Sequence, residues 1–344
     1  MFAIKYLIVH NQGRLTVAQV KQKEGAAAHA GTQALSLLSL PLNAALMQAL
    51  AVAPRSLSDL RREVDSPPQT TMRAYLRTLT ETGVVEKHRC NDFPGNVEYQ
   101  MADSGRELLA VADVLSAWLA RFPEAPTAFG TGAARSAIKA LVDGWSTSMV
   151  RALASRPLSL TELDSVIASV SYPSLERRLG AMRLGGLVEP LSSQGGRGTS
   201  YGVSAWLRMA IAPLVAAARW EHRRIGDGTP AVTNRDVEAA FLLALPLLRL
   251  PPDLTGSCRL GVRLAGEGRG AVAGVVASVR AGKVEACETR LERQADAWIL
   301  GTTEAWFATV IERASNCLTI GGDAGLAKEL VGALHGTLFG AARR

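Results

Sequence analysis

The chain has 344 residues and a mass of 36.4 kDa, enough for two or three compact domains. Hydrophobic residues make up 48% and charged residues 20%, a balance that excludes a mainly disordered or collagen-like chain. The net charge of +7 is uneven: residues 1–30 carry +3, 31–125 carry −2, 131–229 carry +5 and 230–344 carry +1, so a polyanion-binding surface is expected to centre on 131–229 with local patches in 31–125.

Apolar runs are too short to cross a bilayer, and the stretch from Met1 to His10 lacks a small-residue cleavage pattern, so no membrane association and a cytoplasmic location are expected. Cys90, Cys258, Cys287 and Cys317 form no C-x-x-C pair, and the five histidines occur singly. Neither a metal nor any other cofactor is called for. Residues 1–30 match no domain pattern, and Lys21, Lys23 and 26–28 fit either a mobile basic arm or simply an upstream extension, expected to be flexible.

From Leu50 to Trp118 the pattern reappears between Leu153 and Trp220, displaced by about 103 positions. In the first copy, an apolar helix over 43–52 leads into Pro54-Arg-Ser-Leu-Ser-Asp-Leu, a turn at Pro67-Pro68, and a helix from Thr70 to Gly83. In the second, 147–154 leads into Pro157-Leu-Ser-Leu-Thr-Glu-Leu, a turn at Tyr172-Pro173, and a helix from Ser174 to Gly186. After each comes a short apolar strand, Val84-Val85-Glu86 or Leu187-Val188-Glu189, then a polar turn and a tyrosine, Tyr99 or Tyr201, which predicts a two-stranded wing. Each copy closes on an amphipathic helix, with Leu108, Leu115 and Trp118 in one and Leu207, Ile211, Leu214 and Trp220 in the other. Trp118 and Trp220 read as packing residues.

This order of helices and hairpin resembles the winged helix-turn-helix fold. The first copy is similar to the HxlR family, close to the MarR family of bacterial regulators, through Leu76-Arg77-x-Leu79-x-x-x-Gly83-Val84-Val85-Glu86, Phe93-Pro94-x-x-Val97-Glu98-Tyr99-x-Met101 with Gly105 and Leu108, and Trp118. The second copy lacks the Phe-Pro element and the glycine after the wing.

In a helix-turn-helix the second helix enters the major groove of double-stranded DNA, and neighbouring cations hold phosphates. The resemblance makes Gln69, Thr70, Thr71, Arg73 and Arg77 the candidates in copy one, with Tyr172, Ser174, Arg177, Arg178 and Arg183 in copy two. The wings add Lys87, His88, Arg89 and Arg197, which read equally as solvated surface charges. Leu76, Leu79, Leu175, Leu179 and Met182 recur at helical spacing as core. Asp59, Glu63, Asp65, Glu81 and Glu86 weaken the electrostatic term for copy one.

Beyond Asn234 the pattern changes. An apolar helix-like stretch over 239–250 ends at Pro251-Pro252, and strands are predicted over 258–264, 270–279, 283–288 and 297–300. A helix over 302–313, Leu318-Thr-Ile-Gly321-Gly-Asp323, and a last helix over 324–338 complete an α+β domain. Ala297-x-Ile299-x-Gly301-Thr302 with Ala305-Trp306-Phe307, and Ile320-x-Gly322-Asp323 with Leu326-Ala327 and Leu330, resemble the C-terminal half of the sterol-carrier-protein-like fold. That resemblance implies an apolar tunnel for a hydrophobic small molecule, with Trp298, Trp306, Phe307, Ile311 and Leu330 as the ligand candidates; core packing is the competing reading for each.

The glycine-rich segments at 266–270 and 321–322 lack the spacing of phosphate-binding loops, and no local Ser, His and Asp signature forms a triad, so no enzyme is expected. The expected architecture is therefore a multidomain α+β chain: an extension (1–30), two winged helix-turn-helix domains (31–125 and a divergent 131–229), and a sterol-carrier-protein-like α/β sandwich domain (230–344). The expected function is a DNA-binding transcriptional regulator, monomer or homodimer, responding to a hydrophobic effector. The alternative is sequestration of a hydrophobic metabolite, with the winged domains as scaffold.

Overall fold

The computed structural model describes residues 29–89, 97–144, 147–167, 170–191, 198–224, 231–264 and 271–340. Residues 1–28 of the expected extension, the Phe93-Pro94 pair, Arg197 and the 266–270 segment lie outside the described residues.

In the first unit, α1 (Thr32–Leu38) and α2 (Pro41–Val52) precede β1 (Arg55–Ser56), α3 (Leu57–Glu63), α4 (Gln69–Glu81), the hairpin of β2 (Val85–Arg89) and β3 (Val97–Met101), and α5 (Asp103–Leu119). The second unit runs α6 (Gly132–Gly144), α7 (Thr147–Ser155), β4 (Leu158–Ser159), α8 (Leu160–Val166), α9 (Tyr172–Leu184), β5 (Val188–Leu191), β6 (Ser200–Val203), α10 (Ala205–Met209) and α11 (Ile211–Arg224). Their three-stranded sheets have matching orders, β1-β3-β2 and β4-β6-β5, with every pairing antiparallel.

Matching local chemistry produces matching elements. Ser56 Oγ accepts from Asp59 N at 3.2 Å to start α3, and Ser159 Oγ accepts from Glu162 N at 3.3 Å to start α8, where Glu162 also returns a carboxylate to Ser159 N at 2.7 Å. Both following helices end on a left-handed glycine, Gly83 (φ 69°) and Gly186 (φ 68°). The next amide reaches back to close the last turn, Val84 N to Leu79 O at 2.9 Å and Leu187 N to Met182 O at 2.8 Å. Met72, Leu76 and Leu79 on α4, and Leu175, Leu179 and Met182 on α9, are buried.

Two predicted helices are shorter than their apolar patterns. The single closing helix of the second unit is instead α10 followed by α11, because Pro213 has no N–H to continue the ladder from Met209. The 239–250 stretch is α12 (Asn234–Ala244) and a 3₁₀ turn over Leu245–Leu247, since Pro246 interrupts it before the expected prolines.

The third unit is built on a five-stranded sheet, ordered β11-β10-β7-β8-β9, of β7 (Gly256–Arg263), β8 (Val272–Arg280), β9 (Lys283–Glu288), β10 (Ala297–Thr302) and β11 (Thr319–Gly322). Only β10 and β7 run parallel. Alternation puts Cys258, Leu260, Val275, Ala277, Ala297 and Ile299 on the buried face, against α12, α13 (Thr303–Glu312) and α14 (Ala324–Phe339). Thr302 caps α13 through Ala305 N at 3.2 Å, and Asp323 caps α14 through Gly325 N at 2.9 Å.

One hydrophobic core runs through all three units, and α11 is the element they share. It packs along α5 of the first unit, and beside it Trp118 of α5 stacks on Trp206 of α10 at 4.0 Å with ring planes 11° apart. Trp118 Nε1 donates to Trp206 O at 3.0 Å and Trp220 Nε1 donates to Ser104 O at 2.7 Å, pairs related by one displacement of 102 positions (118 to 220, 104 to 206). That reciprocity makes the contact between the units a pseudo-two-fold interface inside a single chain. On its other side α11 reaches α13 through Arg223, whose guanidinium lies 3.0 Å from Glu304 and 2.9 Å from Glu312, and through the Arg219–Glu312 pair.

Candidate nucleic-acid interface

Helix α4 divides sharply into two faces. Its apolar residues at 72, 76 and 79 hold it against the first core, which leaves Gln69, Thr70, Arg73 and Arg77 exposed and Thr71 half-buried. The turn before it is fixed by Asp65 and Ser66, both at positive φ, with Ser66 N on Arg61 O at 2.7 Å and Arg61 Nε on Pro67 O at 3.0 Å. Arg77 Nε lies 3.7 Å from Glu81, which offsets part of its charge, whereas Arg73 has no ion pair among the described residues. On β2, Lys87, His88 and Arg89 are exposed; His88 Nε2 sits 3.2 Å from Glu86, and β3 holds the strand from one side.

The second unit places Tyr172, 44% exposed, in the first turn of α9, with Ser174 half-buried and Arg177 and Arg183 exposed. Arg178 is half-buried and engaged with a partner, which makes it the least available cation on this helix. Guanidinium groups standing on an exposed helix can donate to phosphate oxygens or bidentately to guanine edges.

Of the residues expected to line a ligand site, Trp306 and Phe307 are brought together on α13. They line an open apolar groove of about 140 Å³ with Ile211 and Leu214 of α11 and Val237 and Phe241 of α12. Trp306 donates to Gly261 O at 2.8 Å and meets Phe241 edge-on at 5.2 Å. Trp298, Ile311 and Leu330 are not groove residues. Strand alternation turns Trp298 to the outer face of the sheet, 38% exposed and lying over Gly321, while Leu330 is fully buried core and Ile311 packs half-buried against that core. Sequence reasoning missed the wall from α11 and α12, since it sought the pocket within one domain; the apolar face of α11 beyond its own core was the available signal.

The fold also gathers His29, Thr147 and Asp236, which no local spacing announced. Thr147 Oγ1 donates to Asp236 at 2.7 Å and lies 3.0 Å from His29 Nδ1, the nitrogen that also lies 3.5 Å from Asp236. A relay to a nucleophile needs both ring nitrogens, so this cluster joins chain segments instead of activating a hydroxyl. Burial opposes the Asp236 charge, but hydrogen bonds from His29, Thr233 and Thr147 hold its carboxyl below the usual value. No group of three or more candidate metal ligands occurs among the described residues.

A helix pair anchored by a few buried apolar residues and presenting the polar face of its second helix, flanked by a two-stranded wing, defines a winged helix-turn-helix DNA-binding domain. Residues 43–126 match the HxlR-like helix-turn-helix family, whose members are non-enzymatic DNA-binding proteins. The chain is 34% identical over 61 residues to the HTH-type transcriptional regulator YtcD of Bacillus subtilis strain 168; the match covers 18% of this chain and 48% of that relative, so the chain spans about half its length. Among solved structures it is similar to the reduced form of the transcriptional regulator YodB from B. subtilis, with 25% identity, 27% of this chain and 90% of that one covered, and a TM-score of 0.26. A transcriptional regulator of the MarR family from Enterococcus faecalis V583 is also similar, with 23% identity, 33% and 96% covered, and a TM-score of 0.26. Residues 43–126 thus form an HxlR/MarR-like winged helix-turn-helix domain, and that homology supports a role in transcription. No single helix among the described residues is long and apolar enough to cross a membrane.

Proposed function

We propose that the chain is a cytoplasmic transcriptional regulator that reads double-stranded DNA with α4 and the β2 wing, assisted by α9 of a second winged unit, and responds to a hydrophobic effector. The observation that carries this reading is the exposed Gln69, Thr70, Arg73 and Arg77 face within the segment that matches HxlR-like domains. The units are 31–125, 131–229 and a sterol-carrier-protein-like 230–344. The matching strand order and helix ends of the first two support the second winged assignment, and a sheet with helices on one face supports the third.

The effector reading rests on the groove. Its walls belong to α11, which pairs with the first unit, and to α12 and α13 of the third, so an occupant that favours one spacing of these helices would favour one arrangement of the DNA-reading units. Metabolite sequestration is the weaker reading, because it requires an enclosing cavity with covered recognition helices; α4 and α9 instead keep their polar faces exposed.

The test is a fluorescence-anisotropy titration of the full chain with DNA from its own upstream region and with a scrambled duplex, across a salt series. Selective binding is expected, and Arg73→Ala should weaken it by about 5- to 150-fold, corresponding to roughly 1–3 kcal/mol for a bidentate base contact. Equal binding to both duplexes, or none at low salt, would overturn the assignment.

A further inference from the structure

We infer that one chain binds one duplex at a non-palindromic site made of two unlike half-sites; this rests on the DNA-binding reading above and goes beyond it. Pairing of two winged units is completed within the chain. The surface that relates them is buried around Trp118, Trp206 and Trp220, with the reciprocal hydrogen bonds from Trp118 and Trp220 already made. A second copy cannot reuse that surface without dismantling the first.

The two reading helices are built alike where they face the core and unlike where they face solvent. At the displacement of about 103 positions set by the repeat, the buried Met72, Leu76 and Leu79 correspond to the buried Leu175, Leu179 and Met182. On the exposed side, Gln69 corresponds to Tyr172, Arg73 to Glu176, Ala74 to Arg177 and Arg77 to Gly180. A palindromic duplex offers the same base edges to both halves of a two-fold reader. Arginine donates to guanine edges or phosphate, whereas glutamate accepts only, as from a cytosine amine, and repels phosphate. An arginine on one helix and a glutamate at the same turn of the other therefore cannot both be matched by one repeated half-site. The net charges of the units, −2 for 31–125 and +5 for 131–229, add a second difference: phosphate attraction should contribute more to the half bound by the second unit.

The experiment is selection of duplexes from a library with a random core by the full chain, followed by light-scattering mass measurement of the chain with the enriched duplex. The expected result is a motif of two dissimilar halves bound by one chain. Arg73→Ala should relax base preference in one half alone and Arg177→Ala in the other, with circular dichroism confirming that these exposed substitutions leave the fold intact. A palindromic motif bound by two chains would overturn the inference while leaving the DNA-binding reading in place. A single half-site whose preference is insensitive to Arg177→Ala would do the same. Failure to enrich any sequence would overturn both.

Discussion

Glu221 keeps a carboxylate inside the protein because the first turn of α1 needs an acceptor there: Gly31 N donates to it at 2.7 Å and Ala34 N at 2.8 Å. Burial raises its pKa above the ordinary 4.5, and the backbone hydrogen bonds from Ala34, Gly31 and Gln33 pull the other way. Glu221→Ala should cost about 2–3 kcal/mol in urea unfolding, because it strands buried amide donors. A raised carboxyl favours the protonated folded state, so its contribution is greatest at low pH and declines as pH rises from 4.5 through the raised folded value. Glu221→Gln keeps an acceptor and removes that titration; relative to it, the wild type should lose stability across this rise. Gly31 itself has φ 90°, and a Cβ there would lie 2.7 Å from Leu214 O, so the same junction requires glycine.

At the scale of elements, the packing of α5 against α10 and α11 and the helix caps make separable predictions. Trp118 is buried, stacked and hydrogen-bonded, so Trp118→Ala should destabilise by about 3–5 kcal/mol, whereas Trp298→Ala on the outer sheet face should cost clearly less, both read by denaturant unfolding. At α8, the backbone hydrogen bond from Ser159, its hydroxyl and the Arg156 guanidinium hold Glu162 down at about 2. A depressed carboxyl stabilises fully above its unfolded value of 4.5 and loses that contribution as pH falls through about 2. Thermal unfolding of Glu162→Gln should therefore show a weaker acid dependence than wild type between these limits. The start of α8 was legible as Leu-Ser-Leu-Thr-Glu-Leu, and the ends of α4 and α9 as Gly83 and Gly186, because caps and left-handed glycines are local events. The ends of α10 and α12 were misplaced because an apolar period continues past Pro213 and Pro246 although the hydrogen-bond ladder does not.

For the molecule as a whole, the proposed coupling of effector and DNA makes the groove the place to test, since its walls come from α11, α12 and α13. A hydrophobic compound that binds the folded chain should stabilise it by about 2.7 kcal/mol at a free concentration of about 100 Kd. Ala240→Phe, which fills the groove, should abolish that thermal shift; a shift that survives it would place the ligand elsewhere. The shift in DNA affinity on ligand addition then measures the coupling between groove and DNA.

Composition, repeat spacing and side-chain period determined that the chain holds two similar helical units and an α+β unit, which helix of each presents a polar face, and which residues that face carries. The polar and apolar faces follow from neighbours three or four positions away, and the repeat from one constant displacement along the chain. Only the tertiary structure decided that α5 and α11 pair the units internally, that Trp206 is the stacking partner of Trp118, and that the groove draws a wall from the second unit while excluding Trp298, Ile311 and Leu330. The physical reason is that packing between elements joins residues about a hundred positions apart, and the sum of many weak contacts selecting one such pairing leaves no fixed spacing in the sequence.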